Sequence, residues 1–154
     1  MNATVSWKGG MKFEGLSKSG RPILLDGGPE TGGENAGPRP METLLFALGG
    51  CTGMDVVSIM NKMQLPYTSF RMEIEAHRQP EHPKYFHTIH VTYHVTGHDL
   101  PRERVERAVA LSRDKYCSVM ASLKAKITTE VVLHEPGEEA QSEAAVATTG
   151  GDEK

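Results

Sequence analysis

Two cysteines, Cys51 and Cys117, are the residues of this chain best suited to chemistry. A thiolate can attack the distal oxygen of a hydroperoxide and become a sulfenic acid, which a second thiol condenses into a disulfide. The two cysteines stand 66 positions apart without a C-x-x-C motif, so the sequence suggests neither thioredoxin chemistry nor a cysteine-based zinc site. In a reducing compartment the remaining interpretations are a transient redox pair or two small buried thiols.

A reactive thiol needs a lowered pKa, and therefore a cation or aligned N–H groups close to the sulfur. Asp55 follows Cys51 by one helical turn and opposes this, because a nearby carboxylate favours the neutral thiol. The candidate cations are Arg39, just before the predicted helix, and Arg113 and Lys115, just before the second cysteine. For each of the three the alternative is an ordinary exposed charge.

Other chemistries are less well supported by the residue pattern. A cysteine hydrolase needs a histidine directed at the sulfur, and none of the seven histidines has an evident approach to Cys51. His90, His94 and His98 have i, i+4 spacing, which brings ligands together on a helix but separates them by about 13 Å on a strand. Alternation and β-branching predict a strand, so we expect a solvated polar face, no metal site and no cofactor.

One long helix from 40 to 63 is predicted to carry Cys51, because apolar residues recur at helical spacing and Pro40 suits a first turn. Gly49, Gly50 and Gly53 surround the cysteine, and each interior glycine costs about 1 kcal/mol relative to alanine. Glycines of this kind indicate that something lies close to the backbone, either a second helix or a substrate.

The remaining elements must position this helix. Three short strands are predicted within 2–25, with too few apolar residues for a core of their own, so they must pack on the rest of the chain or on a second copy. A glycine-rich and proline-rich loop follows, and we expect it to be a lid or pocket wall. The sequence then predicts two antiparallel strands, a helix, a short helical turn and a last strand, at 67–77, 89–96, 99–116, 119–123 and 126–134.

Composition limits the classes of function. The chain has 154 residues, of which 38% are hydrophobic, and we expect one domain at 1–134 followed by an acidic disordered tail at 135–154. A net charge of −3 argues against nucleic acid and anionic membranes as partners. No apolar run approaches about 20 residues and no secretion signal is recognisable, so the expected location is the cytoplasm.

The cysteine segments resemble one known family. The run PMETLLFALGGCTGMDVVSI at 40–59 resembles the OsmC/Ohr family of osmotically inducible and organic hydroperoxide resistance proteins. The run LSRDKYCSV at 111–119 is similar to the family's second-cysteine segment, and the resemblance extends over 2–134. Both motifs look most like the uncharacterised OsmC-like branch rather than the established hydroperoxide reductases.

This resemblance implies an α+β OsmC-like fold, with antiparallel sheets packed around two central cysteine-bearing helices in an intertwined homodimer. It implies that Cys51 is the peroxidatic and Cys117 the resolving cysteine of a thiol-dependent peroxidase. Family members that are peroxidases reduce organic hydroperoxides and are regenerated by dithiols such as lipoyl groups. The alternative is a non-catalytic small-ligand-binding or redox-sensing protein on the same fold.

The sequence departs from the reductases at the pair of residues that holds the thiolate. In those proteins a glutamate follows the proline that opens the helix, whereas here Met41 follows Pro40 and the acid comes at Glu42. One residue is about 100° of helix rotation, so Glu42 is expected to point elsewhere unless the helix start shifts. The alternative is that Glu42 only complements the helix dipole. The partner cation is open among Arg21, Arg39 and Lys12.

Overall fold

The computed structural model describes residues 1–137, which form an α+β structure. It contains two compact units, Met1–Ala47 and the residues from Leu48 onward. The α+β class is therefore confirmed, while most of the predicted tail, 138–154, lies outside the described residues. The elements are β1 Ala3–Trp7, β2 Phe13–Ser17, β3 Pro22–Leu25, a 3-10 turn Pro29–Thr31, α1 Pro40–Lys62, β4 Tyr67–Arg78, β5 Phe86–Gly97, α2 Arg102–Leu111, a π-helical segment Ser112–Tyr116, α3 Ser118–Ser122 and β6 Lys126–His134.

The first unit contains an antiparallel sheet in the order β1-β2-β3. The three strands lie within 2–25, as the alternation predicted. Gly15 lies opposite both Val5 and Ile23. A β-carbon at Gly15 would be 3.2 Å from Ile23 Cγ2, so the absence of a side chain gives the isoleucine its space.

The loop of 26–40 is organised by one carboxylate. Asp26 is 2% exposed, and its side chain accepts N–H groups from Gly27, Glu34 and Ala36 at 2.8, 3.0 and 3.0 Å. The Ala36 N–H is the main cause that holds the pKa of Asp26 below its ordinary value, against the opposing effect of burial. Hydrogen bonds within the loop therefore give it a defined conformation. Its role as a lid stays a prediction.

The sheet of the second unit has the order β4-β5-β6 and mixed pairing. Strands β4 and β5 are antiparallel, as predicted, with Ile74 opposite Val91. Strand β6 is parallel to β5, with Ile89 opposite Ile127, so the expectation of purely antiparallel sheets is wrong for this one pair. The reason is the connection, because α2 and α3 carry the chain back across the sheet, and a parallel pair needs such a crossover.

Among the described residues, the buried apolar side chains all belong to the second unit. They include Leu48, Val56 and Met60 of α1, Val91 and Val95 of β5, and Val105 of α2, each with no exposed surface. In the first unit, by contrast, Val5 and Trp7 are 62% and 66% exposed. The sequence-based expectation that the N-terminal strands are too thin for a core of their own agrees with this exposure.

Two of the three glycines around Cys51 have a structural reason. A β-carbon on Gly53 would be 2.8 Å from Met72 Cε, and one on Gly49 would be 3.0 Å from Ile74 Cδ1. The close approach that the glycines indicate is therefore made by side chains of β4 rather than by a helix or a substrate. A β-carbon on Gly50 would meet no atom within 4 Å.

Helix α1 meets a length and composition test for a membrane span, although the sequence shows no uninterrupted run of about 20 apolar residues. The core helix of a soluble protein passes the same test. Here Leu48, Thr52, Val56 and Met60 are fully buried within the protein. The burial of this face gives the helix a role in the core of the second unit.

Candidate functional site

The structure brings the two cysteines together. Cys51 Sγ, Cys117 Sγ and a carboxylate oxygen of Asp55 all lie within 4.8 Å of one another. Both thiols are free, Cys51 half-buried and Cys117 only 4% exposed. We refer to these three residues as the dithiol cluster.

Helix α1 supplies two members of the cluster. Cys51 and Asp55 are four residues apart, so their side chains lie on the same side of the helix, one turn from each other. Gly49 and Gly53 let the side chains of β4 pack closely against this part of α1. This packing fixes the part of the helix that carries Cys51. The position of the first thiol is therefore a consequence of packing between the helix and the sheet.

The third member is positioned by an unusual turn. The five residues before Cys117 are π-helical, and the Cys117 N–H donates to the carbonyl of Ser112 at 2.8 Å. Cys117 is itself extended and begins α3, with its Sγ accepting the Met120 N–H at 3.5 Å. Single π-helical turns are frequent at functional sites, and this one places Ser112 and Cys117 side by side in the core.

A chain of buried hydroxyl groups leads to the carboxylate. Ser112 Oγ donates to Asp55 Oδ2 at 3.0 Å, Thr52 Oγ1 lies 2.9 Å from Ser112 Oγ, and Tyr93 OH lies 2.6 Å from Thr52 Oγ1. Because a serine hydroxyl has one proton, Thr52 must donate to Ser112, and Tyr93 must then donate to Thr52. The three hydroxyl groups therefore point their protons towards Asp55 and fix its orientation.

Burial controls the ionisation of Cys117, a member of the cluster, and of Tyr93, which lies beside it. It raises the pKa of Cys117 to about 11, and the hydrogen bond with the Cys51 thiol acts in the same direction. Burial also raises the pKa of Tyr93 to about 12. Both groups are therefore neutral at physiological pH.

The cations expected near the second cysteine have other partners. Arg113 Nε is 2.6 Å from Asp114 Oδ1, and Arg113 also donates to Thr129 Oγ1 at 3.1 Å. The Lys115 ammonium lies 5.3 Å from the centre of the Tyr116 ring. None of these three contacts involves a sulfur atom, so a supporting role for Lys115 stays a prediction.

The other predicted charges are in the first unit. Arg39 pairs with Glu42, with 3.4 Å between Nη1 and Oε1, and its backbone N–H donates to the same carboxylate at 2.8 Å. Lys12, another candidate cation, pairs with Glu34 at 3.0 Å. The structure thus joins Arg39 to Glu42, and their action on Cys51 stays a prediction.

A groove of about 380 Å³ lies beside the cluster. Asp55 belongs to both, so the carboxylate faces the thiols and also lines the groove. The remaining lining residues are mostly apolar. They are Ser58, Ile59, Lys62, Met63, Leu111 and Tyr116.

The three histidines with i, i+4 spacing have separate partners. His90 Nδ1 is 2.8 Å from Thr128 Oγ1, and His94 Nδ1 is 2.9 Å from His134 Nε2. His98 Nδ1 is 2.9 Å from an oxygen of Glu135. The predicted strand is confirmed for His90 and His94, which lie in β5, whereas His98 lies in the turn that follows β5.

Sequence reasoning missed the hydroxyl chain. Thr52, Tyr93 and Ser112 each occupy an inner-face position of a predicted helix or strand, among apolar neighbours. A polar residue at a core position is itself a signal, because a buried hydroxyl needs a partner. Which hydroxyls meet could not be read from the sequence, since the three residues belong to three different elements.

Comparisons with known proteins agree on one family. The family model described as OsmC-like protein matches residues 32–132. Protein YhfA of Escherichia coli strain K12 is 43% identical over 124 residues, which cover 80% of this chain and 90% of YhfA.

Solved structures are similar over most of the chain. A hypothetical protein from Aquifex aeolicus VF5 is 27% identical with a TM-score of 0.76, covering 87% of this chain and 96% of that one. An organic hydroperoxide resistance protein OsmC from Legionella pneumophila is 16% identical with a TM-score of 0.60, over 86% and 96% of the two chains. The second likeness concerns the fold alone.

Proposed function

The chain belongs to the OsmC-like protein family, and we propose that it is a thiol-dependent peroxidase that reduces organic hydroperoxides. The observation that carries this proposal is the approach of two sulfur atoms to within 4.8 Å from positions 66 residues apart. A structural likeness to a protein described as an organic hydroperoxide resistance protein is consistent with the proposal.

The reaction proceeds in two covalent steps. The Cys51 thiolate attacks the distal oxygen of the hydroperoxide, the O–O bond breaks, and the leaving alkoxide takes up a proton to become an alcohol. Cys51 is then a sulfenic acid. The Cys117 thiol loses its proton and attacks the Cys51 sulfur, the S–O bond breaks, and the hydroxyl group leaves as water. A disulfide of about 2.05 Å forms after the side chains rotate towards each other.

The different surroundings of the thiols decide which one attacks. Cys51 is half-buried and accessible from solvent, whereas Cys117 is 4% exposed with a pKa raised to about 11 by burial. A protonated and enclosed thiol is a poor first nucleophile. Cys117 is therefore the resolving residue, which reacts only once its neighbour has been oxidised.

The groove next to the cluster accounts for a preference for organic substrates. Ile59, Met63 and Leu111 offer apolar surface to the carbon portion of a hydroperoxide. Asp55 lines the groove and lies near both thiols. In this proposal the O–O bond of the hydroperoxide is placed at the thiols. Hydrogen peroxide has no carbon portion and gains nothing from this surface.

The proposal includes a reductant and a location. A dithiol of the lipoyl type attacks Cys51, the more accessible sulfur of the disulfide, and returns both cysteines to thiols. No cofactor takes part. The reaction needs a reducing compartment, which agrees with a cytoplasmic protein.

We assign supporting roles to three charged residues. Arg39 and Glu42 form an ion pair near the start of α1, and Lys115 lies two residues before Cys117. In this proposal they adjust the charge around the thiols, as the resemblance to the hydroperoxide reductases implies for an arginine and a glutamate.

A homodimer forms part of the same proposal. Val5, Trp7, Phe13 and Ile23 share one face of the first sheet, and all four are at least 41% exposed. A contiguous apolar face of this kind marks an interaction surface. A second copy of the chain is the partner that the family resemblance implies, and sedimentation of the purified protein tests it.

Steady-state turnover tests the activity. Reduced protein is mixed with cumene hydroperoxide and dihydrolipoamide, and both hydroperoxide loss and dithiol oxidation are followed. We expect sustained consumption, slower with hydrogen peroxide, and none with Cys51→Ser. Turnover that persists in Cys51→Ser would rule the mechanism out, and equal rates with both peroxides would rule out the role of the groove.

A redox sensor or small-ligand-binding protein is the second candidate. It is favoured by the departure from the hydroperoxide reductases at the start of α1, where Met41 rather than a glutamate follows Pro40. A sensor would form the disulfide once and then show no sustained turnover with dithiol. A ligand-binding protein would show neither reaction.

A further inference from the structure

We propose that the reduced dithiol cluster binds a thiophilic divalent cation, Zn²⁺, through Cys51, Cys117 and Asp55. This site goes beyond the peroxidase activity and does not depend on it. The sequence predicted no zinc site, because the ligands are not adjacent along the chain. The inference arises from their convergence in the fold.

The geometry suits a small tetrahedral ion. Zinc bonds of about 2.3 Å to sulfur and about 2.0 to 2.2 Å to carboxylate oxygen place neighbouring ligand atoms about 3.5 to 4 Å apart. The two sulfurs and the Asp55 oxygen lie within 4.8 Å of one another. Side-chain rotations that move these atoms by about 1 Å bring them to the spacing that zinc requires. Two thiolates select zinc over magnesium or calcium.

The carboxylate has the surroundings of a metal ligand. Ser112 donates to Asp55 at 3.0 Å, and Thr52 and Tyr93 hold the serine in turn. Outer hydrogen bonds of this kind fix the direction of ligand side chains. The chain of hydroxyls is fully buried, so it is a rigid support.

Among residues 1–137, no cationic side chain pairs with the half-buried carboxylate of Asp55. None of the ion pairs within residues 1–137 includes it. A divalent cation would neutralise its charge and hold the two sulfurs as thiolates. With three protein ligands, a water molecule on the accessible Cys51 side completes four-coordination, the arrangement of an open zinc site.

Zinc affinity tests the proposal directly. The reduced protein competes with a chromophoric chelator for Zn²⁺, and Co²⁺ is used separately as a spectroscopic probe. We expect one ion per chain, and for Co²⁺ a thiolate charge-transfer band together with intense visible bands of a tetrahedral ion. No hydroperoxide is present, so an inactive peroxidase leaves this result unaffected, and failed zinc binding leaves the peroxidase test intact.

Variants identify the ligands. Cys51→Ser and Cys117→Ser should remove the charge-transfer band or weaken it strongly. Asp55→Asn should weaken zinc binding more than Ser112→Ala, for which a loss of about 10- to 100-fold is expected from an outer-shell residue. Asp114→Asn is the matched control, because it removes the same charge from a carboxylate paired with Arg113.

Three results would overturn the proposal. They are zinc affinity that is unchanged in Cys51→Ser or Cys117→Ser, a cobalt spectrum without thiolate bands, and Asp55→Asn that binds as tightly as Asp114→Asn. The cobalt spectrum is measured on the unaltered chain, so the test stands even where a variant fails to fold.

Discussion

The two cysteine segments of the second unit differ in solvent exposure and in backbone structure. Cys51 is half-buried in the middle of a helix of 23 residues, with Gly50 beside it open to space. Cys117 is 4% exposed, follows a π-helical turn and has a pKa raised to about 11 by burial. The contrast teaches that two neighbouring thiols can differ in environment: one is accessible from solvent, whereas burial keeps the other protonated.

The largest expected effect is the trapping of the sulfenic acid intermediate, which distinguishes the roles of the two cysteines. In Cys117→Ser, one equivalent of cumene hydroperoxide should be consumed and a sulfenic acid should persist on Cys51, because no thiol remains to condense with it. In Cys51→Ser, no sulfenic acid should form. Labelling with dimedone followed by mass spectrometry measures both, and a label on Cys117 instead would reverse the assignment.

The pH dependence of alkylation sharpens the comparison. A pKa of about 11 leaves roughly 100-fold less thiolate near neutral pH than an ordinary cysteine has. In Cys51→Ser, the iodoacetamide rate at Cys117 should therefore rise about tenfold per pH unit through pH 10. The control is the same variant unfolded in urea, in which the alkylation rate at Cys117 should level off at about pH 9. If the alkylation rate of the folded protein levels off at the same pH as that of the unfolded protein, burial does not raise the pKa of Cys117.

The hydroxyl chain supports both segments, so breaking it should cost stability. Thr52→Val leaves Tyr93 without its acceptor and Ser112 without one donor in a fully buried site. We expect the free energy of unfolding to fall by about 1 to 3 kcal/mol. Urea denaturation measures this, with Thr43→Val as the control.

Thr43 suits the control because it is in the same helix and its side chain donates a single hydrogen bond within residues 1–137, to the Arg39 carbonyl at 3.2 Å. A change within about 0.5 kcal/mol is expected for a substitution away from buried features. Equal effects of the two valine variants would show that the network adds nothing to stability.

The smallest effect concerns the glycines that flank Cys51. Gly50→Ala adds a methyl group in open space and should stabilise the helix by about 0.5 to 1 kcal/mol. Gly53→Ala should lose most of that gain, because its β-carbon would press on Met72 Cε. Thermal unfolding of both variants checks the order, and equal stabilisation would contradict the packing that positions Cys51.

Much of the architecture follows from local patterns. Pro40 and the helical spacing of apolar residues predicted α1 to within one residue of its end, and alternation predicted β6 from Lys126 to His134. The parallel pairing of β6 was not predictable from its own residues, because it depends on the path of α2 and α3 across the sheet. A strand's alternation is the same in both directions.

The site was predicted only in part. Cys51 and Cys117 were found by residue type and by family resemblance, and their approach in space is a tertiary property that spacing does not contain. Asp55 was recognised as an unfavourable charge one turn from Cys51, but not as a residue lying near both sulfurs. Its hydrogen bond from Ser112 joins elements 57 positions apart, beyond the reach of any local pattern.

The central claim is that hydroperoxide joins the two sulfurs of one chain, and intact mass tests it most directly. Reduced protein is mixed with one equivalent of cumene hydroperoxide, quenched with an alkylating agent, weighed and digested. The account predicts a loss of the mass of two hydrogen atoms, no alkylation, and a peptide pair linked through Cys51 and Cys117. A chain of unchanged mass, or one in which Cys117 is still alkylated, would contradict it.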